Sequence, residues 1–289
     1  MPFGVQGYPQ VAVLKGKVYI GGGIASTDRK RQTVMVYDPQ QDSYDTLPPY
    51  THKYFAMAVV NNQLVLVGGL DAQTNKDSNK LGVWNEQSRI WTHPLPPMTT
   101  ACSSPSVAAH NNRWLVVIGG HNDGKEHSGV EILDTSLGQW YHGAPLPQPC
   151  AKVSLVTIGN MCYLLGGFNE GFAPSKKAFS MYLDEFIYQA DLQPPDSASA
   201  PPTPSPWQTL PDLPLTHCTA LALNGALLAV GGDSSSAIHL YQPSSRSWVK
   251  AGELPTKHKT CTSIVLPSGE VFVAGGIGLQ HQVDIALVQ

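Results

Sequence analysis

A few residues after Leu-Pro stops, cations and rings recur: Lys53-Tyr54, Lys152, His217 and Lys257-His258-Lys259. These side chains do not suggest bond breaking. Lysine and protonated histidine make charge-assisted hydrogen bonds to carboxylates. A neighbouring tyrosine adds buried area with a polar tip. Arg29, Arg31 and Lys176 supply further cations in longer polar stretches, and Phe172 supplies an aromatic anchor of the kind enriched at interfaces. The set could therefore hold an acidic segment of a protein partner. The plain alternative is a group of solvated loop lysines with no shared target.

Catalytic patterns are missing from the sequence. There is no GxSxG, HExxH or phosphate-binding glycine loop. Histidines 52, 121, 127, 217 and 258 share one side of the molecule in this reading. None forms an H-x-H or H-x3-H pair, and a metal needs three or four converging ligands. No metal, cofactor or enzymatic activity is expected. Protonation of those histidines would make their face more positive. The cysteines at 102, 150, 162, 218 and 261 are odd in number and include no CxxC, which fits reduced thiols packed as small side chains in a cytoplasmic protein.

The elements that must position these residues announce themselves as glycine doublets. Each ends an apolar run: Gly21-Gly22, Gly68-Gly69, Gly119-Gly120, Gly166-Gly167, Gly231-Gly232 and Gly275-Gly276. Their spacing of 44 to 65 residues means stacked copies of one supersecondary unit. In the second copy, residues 55–60 form a strand that turns at Asn61-Asn62, and residues 63–67 return to the doublet. A third strand spans 81–85, and a fourth carries Trp91 before Leu95-Pro96-Pro97 stops it. Tyr44, Trp140, Trp207 and Trp248 take the place of Trp91 in other copies.

This order resembles the kelch repeat: apolar run, Gly-Gly, Tyr37-Asp38 or Leu133-Asp134, then Trp, then Leu-Pro-Pro. The resemblance covers the whole chain and implies an all-β, six-bladed kelch β-propeller with four-stranded antiparallel blades. Residues 1–289 would form one such domain. The sixth blade lacks an outer strand in this reading, so either it closes with three strands or upstream residues are missing. The resemblance implies a scaffold for protein binding, including substrate receptors of ubiquitin-ligase adaptors. It also admits sugar mutarotases and copper oxidases that use the same bowl. Kelch propellers often carry arginine seven residues beyond the Leu of Leu-Pro-Pro. Here that offset reads Val5, Tyr54, Cys102, Ala151, His217 and His258, so an arginine-lined pocket does not carry over.

Strand parity places the loops between second and third strands on the same face as the blade-to-blade connections. Basic residues exceed acidic ones on that face and the reverse holds elsewhere, on a chain of net charge −3. A positive face on a negative body steers an acidic partner. The negative total argues against nucleic acid. No apolar run is long enough for a membrane helix, and a monomer is expected. The fourth copy is irregular. Its loop over 168–183 carries Phe168, Phe172, Phe179 and Tyr182 beside Lys176-Lys177, either as interface anchors or as a small core under the loop. Its Pro/Ser-rich stretch 193–206 has no apolar anchor and is expected to be a disordered insert.

Overall fold

The computed structural model describes residues 5–25, 33–183, 205–276 and 283–286. Every glycine-doublet unit is one antiparallel sheet with strands in chain order from the inside outward. In the third blade these are Ser106–His110, Trp114–Ile118, Val130–Asp134 and Gln139–His142. The inner strands of the other four-stranded blades are Val5–Leu14, Ala56–Val60, Ser154–Ile158 and Thr219–Leu223. The sixth doublet sits in a three-stranded sheet of Thr262–Val265, Val271–Ala274 and Val283–Ala286. The expectation of six blades is thus corrected to five four-stranded blades, with the three-stranded sheet in the remaining place of the ring. A doublet marks the second strand of a unit and does not guarantee a fourth.

The second strand of the third blade shows why the units stack. Its side chains alternate between the two faces of the sheet. Trp114, Val116 and Ile118 join the apolar cluster shared with the fourth blade. Leu115 and Val117 join the one shared with the second. All five are buried, so the run carries no polar face. The core is therefore a circle of blade-to-blade interfaces. It closes where Val18, Ile20 and Tyr37 of the first blade meet Leu266, Phe272 and Ala274 of the three-stranded sheet. Four of the six tryptophans, those at or beside the outer strands, add a polar staple across a seam, Trp207 to the Ala144 carbonyl at 3.2 Å. The indole N–H of Trp91, Trp140 and Trp248 donates to the carbonyls of Pro48, Pro96 and Pro211 on the preceding blade, at 2.8, 3.0 and 3.0 Å.

The glycine doublets set the inner rim. Gly120 has φ +109°, and a Cβ there would stand 2.8 Å from the Ser103 carbonyl of its own blade. Its N–H donates to the Cys150 carbonyl of the next blade at 2.8 Å. The same two contacts recur at Gly232, against Thr216 and His258. One backbone position thus locks the connection into its own blade and the connection into the next, and only glycine fits both.

The fourth blade departs from the sequence reading. Its third strand is Ala178–Tyr182, so Phe179 lies in a strand and is buried in the core. Tyr182 is half exposed on the same strand. Alternation of the run Ala-Phe-Ser-Met-Tyr outweighs its loop-like flanks. Of the insert 193–206, residues 193–204 lie outside the described residues. No helix among the described residues is long and apolar enough to cross a membrane.

Candidate functional site

Each connection into an inner strand passes through a residue with left-handed backbone: Tyr8, Tyr54, Ser104, Lys152, His217 and Thr260, with φ between +52° and +61°. Together they form a collar, in which Tyr8, Tyr54, Ser104, Lys152 and His217 line the central channel or the small pocket beside it and Thr260 is buried. Backbone hydrogen bonds link neighbours along it. Ser104 N donates to Tyr54 O at 2.7 Å, Lys152 N to Ser104 O at 3.2 Å, Thr260 N to His217 O at 3.2 Å, and Tyr8 N to Thr260 O at 2.8 Å. Five of the six collar residues follow the carbonyl that stands against their unit's second glycine, as Ser103 does on Gly120; in the first blade Gly22 meets Phe55 of the next blade instead. The glycine doublet therefore positions the collar side chain.

Below the collar lies a central channel of about 320 Å³, lined mainly by Val, Ala, Leu, Ser and Thr of the inner strands. Its walls contain no Asp or Glu, while Lys152 and His217 stand at its mouth. The Lys152 ammonium lies 4.9 Å from the Tyr8 ring centre, 5.6 Å from Tyr54 and 5.9 Å from Phe168. Three ring faces hold this cation by their quadrupoles. Among the described residues no carboxylate pairs with it, and burial pulls its pKa below the usual lysine range. The Tyr8 hydroxyl and His217 Nδ1 share a hydrogen bond of 2.6 Å. Burial raises the tyrosine and lowers the histidine, so the phenol keeps its proton and the imidazole is held neutral. The mouth therefore offers one partly buried cation beside a neutral imidazole, a combination suited to a carboxylate.

Residues 54–276 match the family model described as the KLHDC2/KLHL20/DRC7 Kelch-repeats domain. The chain belongs to the kelch-repeat family. It is 23% identical to Kelch-like protein 35 of Mus musculus over 90% of its own length and 41% of that protein's. It is 26% identical to Kelch-like protein 40 of Xenopus tropicalis over 52% of its own length and 25% of that protein's. The chain thus spans well under half the length of these relatives. The solved structure of YjhT shares the fold, with a TM-score of 0.73 at 15% identity over 97% of this chain and 93% of that one.

Within this kelch propeller the sequence-predicted residues separate. Tyr54, Lys152 and His217 meet on the collar, and Lys259 stands near enough to depress His217 further. Phe172 lines a neighbouring pocket. His258 is fully buried, with Nδ1 on the Gly275 carbonyl at 2.9 Å and Nε2 on the Thr256 hydroxyl at 3.0 Å. It is structural and does not line the bowl. Lys53 sits in the ribbon of His52–Lys53 with Leu70–Asp71, and Lys257 on the outer strand Ser247–His258. Lys176 turns to the Pro214 carbonyl at 2.9 Å. None of these three lines the channel or the neighbouring pocket. Arg29 and Arg31 lie outside the described residues.

The fixed offset of seven residues fails as a guide to the collar. It finds Tyr54 and His217 but reads Val5, Cys102, Ala151 and His258 where the collar holds Tyr8, Ser104, Lys152 and Thr260. The connections differ in length, and the collar is registered by its contact with the glycine doublet. Phe168, named from sequence only as a possible loop anchor, reaches Lys152 through the pairing of its backbone with Ala151 in the same blade, whereas Tyr8 was missed because closure of the ring brings it to Lys152. Burial also changes the reading of the histidines. His52, His121, His127 and His217 are all held below their ordinary pKa by desolvation, so they resist charging at mildly acidic pH.

Proposed function

We propose that this propeller is a protein-interaction module that grips an acidic segment of its partner on the collar face. An Asp or Glu carboxylate enters the channel mouth and pairs with Lys152, while the His217 imidazole donates a second hydrogen bond. The observation that carries this reading is the Lys152 ammonium itself, caged by three rings and with no carboxylate partner among the described residues. A partly buried cation lacking an anion carries a desolvation cost, and an incoming carboxylate offsets it. The acid-free channel wall favours an anion there. Basic loop residues steer the encounter. Since the chain spans well under half of its kelch-like relatives, it acts as the recognition part of a larger assembly, such as a substrate receptor in a ubiquitin-ligase adaptor. In this account it is a cytoplasmic, monomeric binding module and not an enzyme.

The test is selection of random displayed peptides on the intact protein and on a Lys152→Met variant with an unchanged circular-dichroism spectrum. Peptides selected by the parent protein should be enriched in Asp and Glu, and the variant should lose that enrichment. The site assignment falls if the acidic preference is absent or survives in the variant.

A further inference from the structure

Beside the channel mouth lies a second pocket of about 630 Å³, between the loops of the second, third and fourth blades. Tyr54, Ser104 and Lys152 form the wall common to it and the collar. Leu70 and Phe172 supply its other apolar surfaces, and Lys76, Asp77 and Asp123 add charges of both signs to its lining.

Phe172 is the telling residue. It is 55% exposed, which no packing requirement explains. Its backbone is left-handed, φ +60°, a conformation unfavourable for a bulky side chain. It is nevertheless fixed in place. The Phe172 and Gly171 N–H groups donate to the two carboxylate oxygens of Glu126 on the third blade, at 3.0 and 3.3 Å. Its ring stacks on buried His121 with centroids 4.7 Å apart and planes inclined by 23°. A strained, exposed aromatic held by a neighbouring blade is a preorganised contact surface. Tyr54, across the pocket, has left-handed backbone as well.

We infer that this pocket is a second subsite, taking an aromatic side chain of the same acidic segment. The inference rests on the carboxylate site at Lys152. Rings of Tyr54 and Phe172 with the Leu70 side chain suit an aromatic occupant. Asp77 and Asp123 offset Lys76 and Lys152 in the lining, so this pocket selects the ring, and the acidic preference comes from the Lys152 mouth it adjoins. The two subsites share a wall, and an extended peptide advances about 3.3–3.6 Å per residue. The aromatic residue therefore lies within about three positions of the acid. The recognised element is an acidic residue and an aromatic one in close sequence, with neither alone sufficient for full affinity.

Two probes test this on the full chain. The first is a peptide library with one fixed Glu and every flanking position varied. Tyr, Trp or Phe should be enriched at least tenfold within three residues of the Glu. A Phe172→Ala variant should lose that aromatic preference and retain the acidic one; Lys152→Met should do the reverse. Absence of aromatic enrichment, or its survival in Phe172→Ala, overturns the second subsite and leaves the first standing. The second probe is uncharged N-acetyltryptophanamide, which decides even if no acidic peptide binds. It should shift the amide resonances of Phe172 and Ser104 in the parent and not in Phe172→Ala. No shift in the parent, or the same shift in the variant, overturns the pocket assignment. Because Phe172 is exposed, the variant should fold, which its thermal melt checks.

Discussion

The Lys152 ammonium stands 4.9 Å from the Tyr8 ring centre, although 144 residues separate them in the chain. The same tyrosine hydroxyl reaches His217 on a third blade. One aromatic residue thus joins a cation of the fourth blade to an imidazole of the fifth. Replacing Lys152 by Met removes a partly buried charge and keeps the apolar stem. Stability should therefore change by less than about 1 kcal/mol, or rise, while affinity for an acidic peptide falls at least about tenfold. Paired chemical denaturation and fluorescence anisotropy would separate the two effects.

Binding that rests on one caged cation and a steering field should weaken with salt, but only in part. Between about 50 and 500 mM NaCl the association rate should fall more than the dissociation rate rises, because screening acts on the exposed loop charges before the buried pair. Stopped-flow measurement at several salt concentrations reads this directly.

Gly120 carries the geometry that places the collar. Gly120→Ala meets the Ser103 carbonyl and the Pro105 backbone, at 2.8 and 3.1 Å, with φ +109°. The loss should exceed about 2 kcal/mol, since backbone must move. Gly138→Ala is the control: φ is +65° but the space is open. Its cost should stay near about 1 kcal/mol. Urea unfolding of both variants checks the difference.

Acid should destabilise the fold early. His52, His121 and His127 have depressed pKa values, chiefly by burial, so the unfolded chain binds protons that the folded chain refuses. Their contribution is complete above the ordinary histidine pKa of about 6.5 and is lost as pH falls below it. Asp71 beside His52 and Glu126 beside His121 soften the effect without reversing it. At lower pH, Asp134, held down by Arg113, adds a second loss with the same sign. Urea midpoints should be lower at pH 5.5 than at pH 7.5; a constant or rising midpoint contradicts this account.

The cysteines are packing residues. All five are buried, and burial pushes the thiols of Cys102, Cys150, Cys162 and Cys218 up to about 12. A thiol reagent at pH 8 should label the native protein slowly and all five sites on unfolding.

Much of the scaffold was legible because its signals are local. Asn61-Asn62 and Asn111-Asn112 mark hairpins, and both pairs have positive φ as such turns require. The glycine doublets and tryptophans mark strands by the close approaches and staples they make. Strand 178–182 was missed because its alternating pattern followed an unusually long polar loop. The collar was only half legible. Lys152, Tyr54 and His217 could be picked by type, but nothing local distinguishes Lys152 from Lys53 or Lys257. What separates them is the company of Phe168 and of Tyr8, the latter brought in by the closing ring, and the inward turn set by each glycine doublet. His258 failed for a related reason: it takes the place equivalent to Cys102 and Cys150, whose carbonyls meet a glycine of the preceding blade, two residues before the collar.

The central claim is that Lys152 receives a partner's carboxylate, and a double-mutant cycle tests it most directly. An acidic peptide selected on the parent protein and its Glu→Gln counterpart would be titrated against the parent and Lys152→Met by calorimetry. The account predicts a coupling of more than about 1 kcal/mol, with the Glu→Gln penalty largely absent once the lysine is gone. Penalties that add within about 0.3 kcal/mol would show that the carboxylate binds elsewhere and contradict the account.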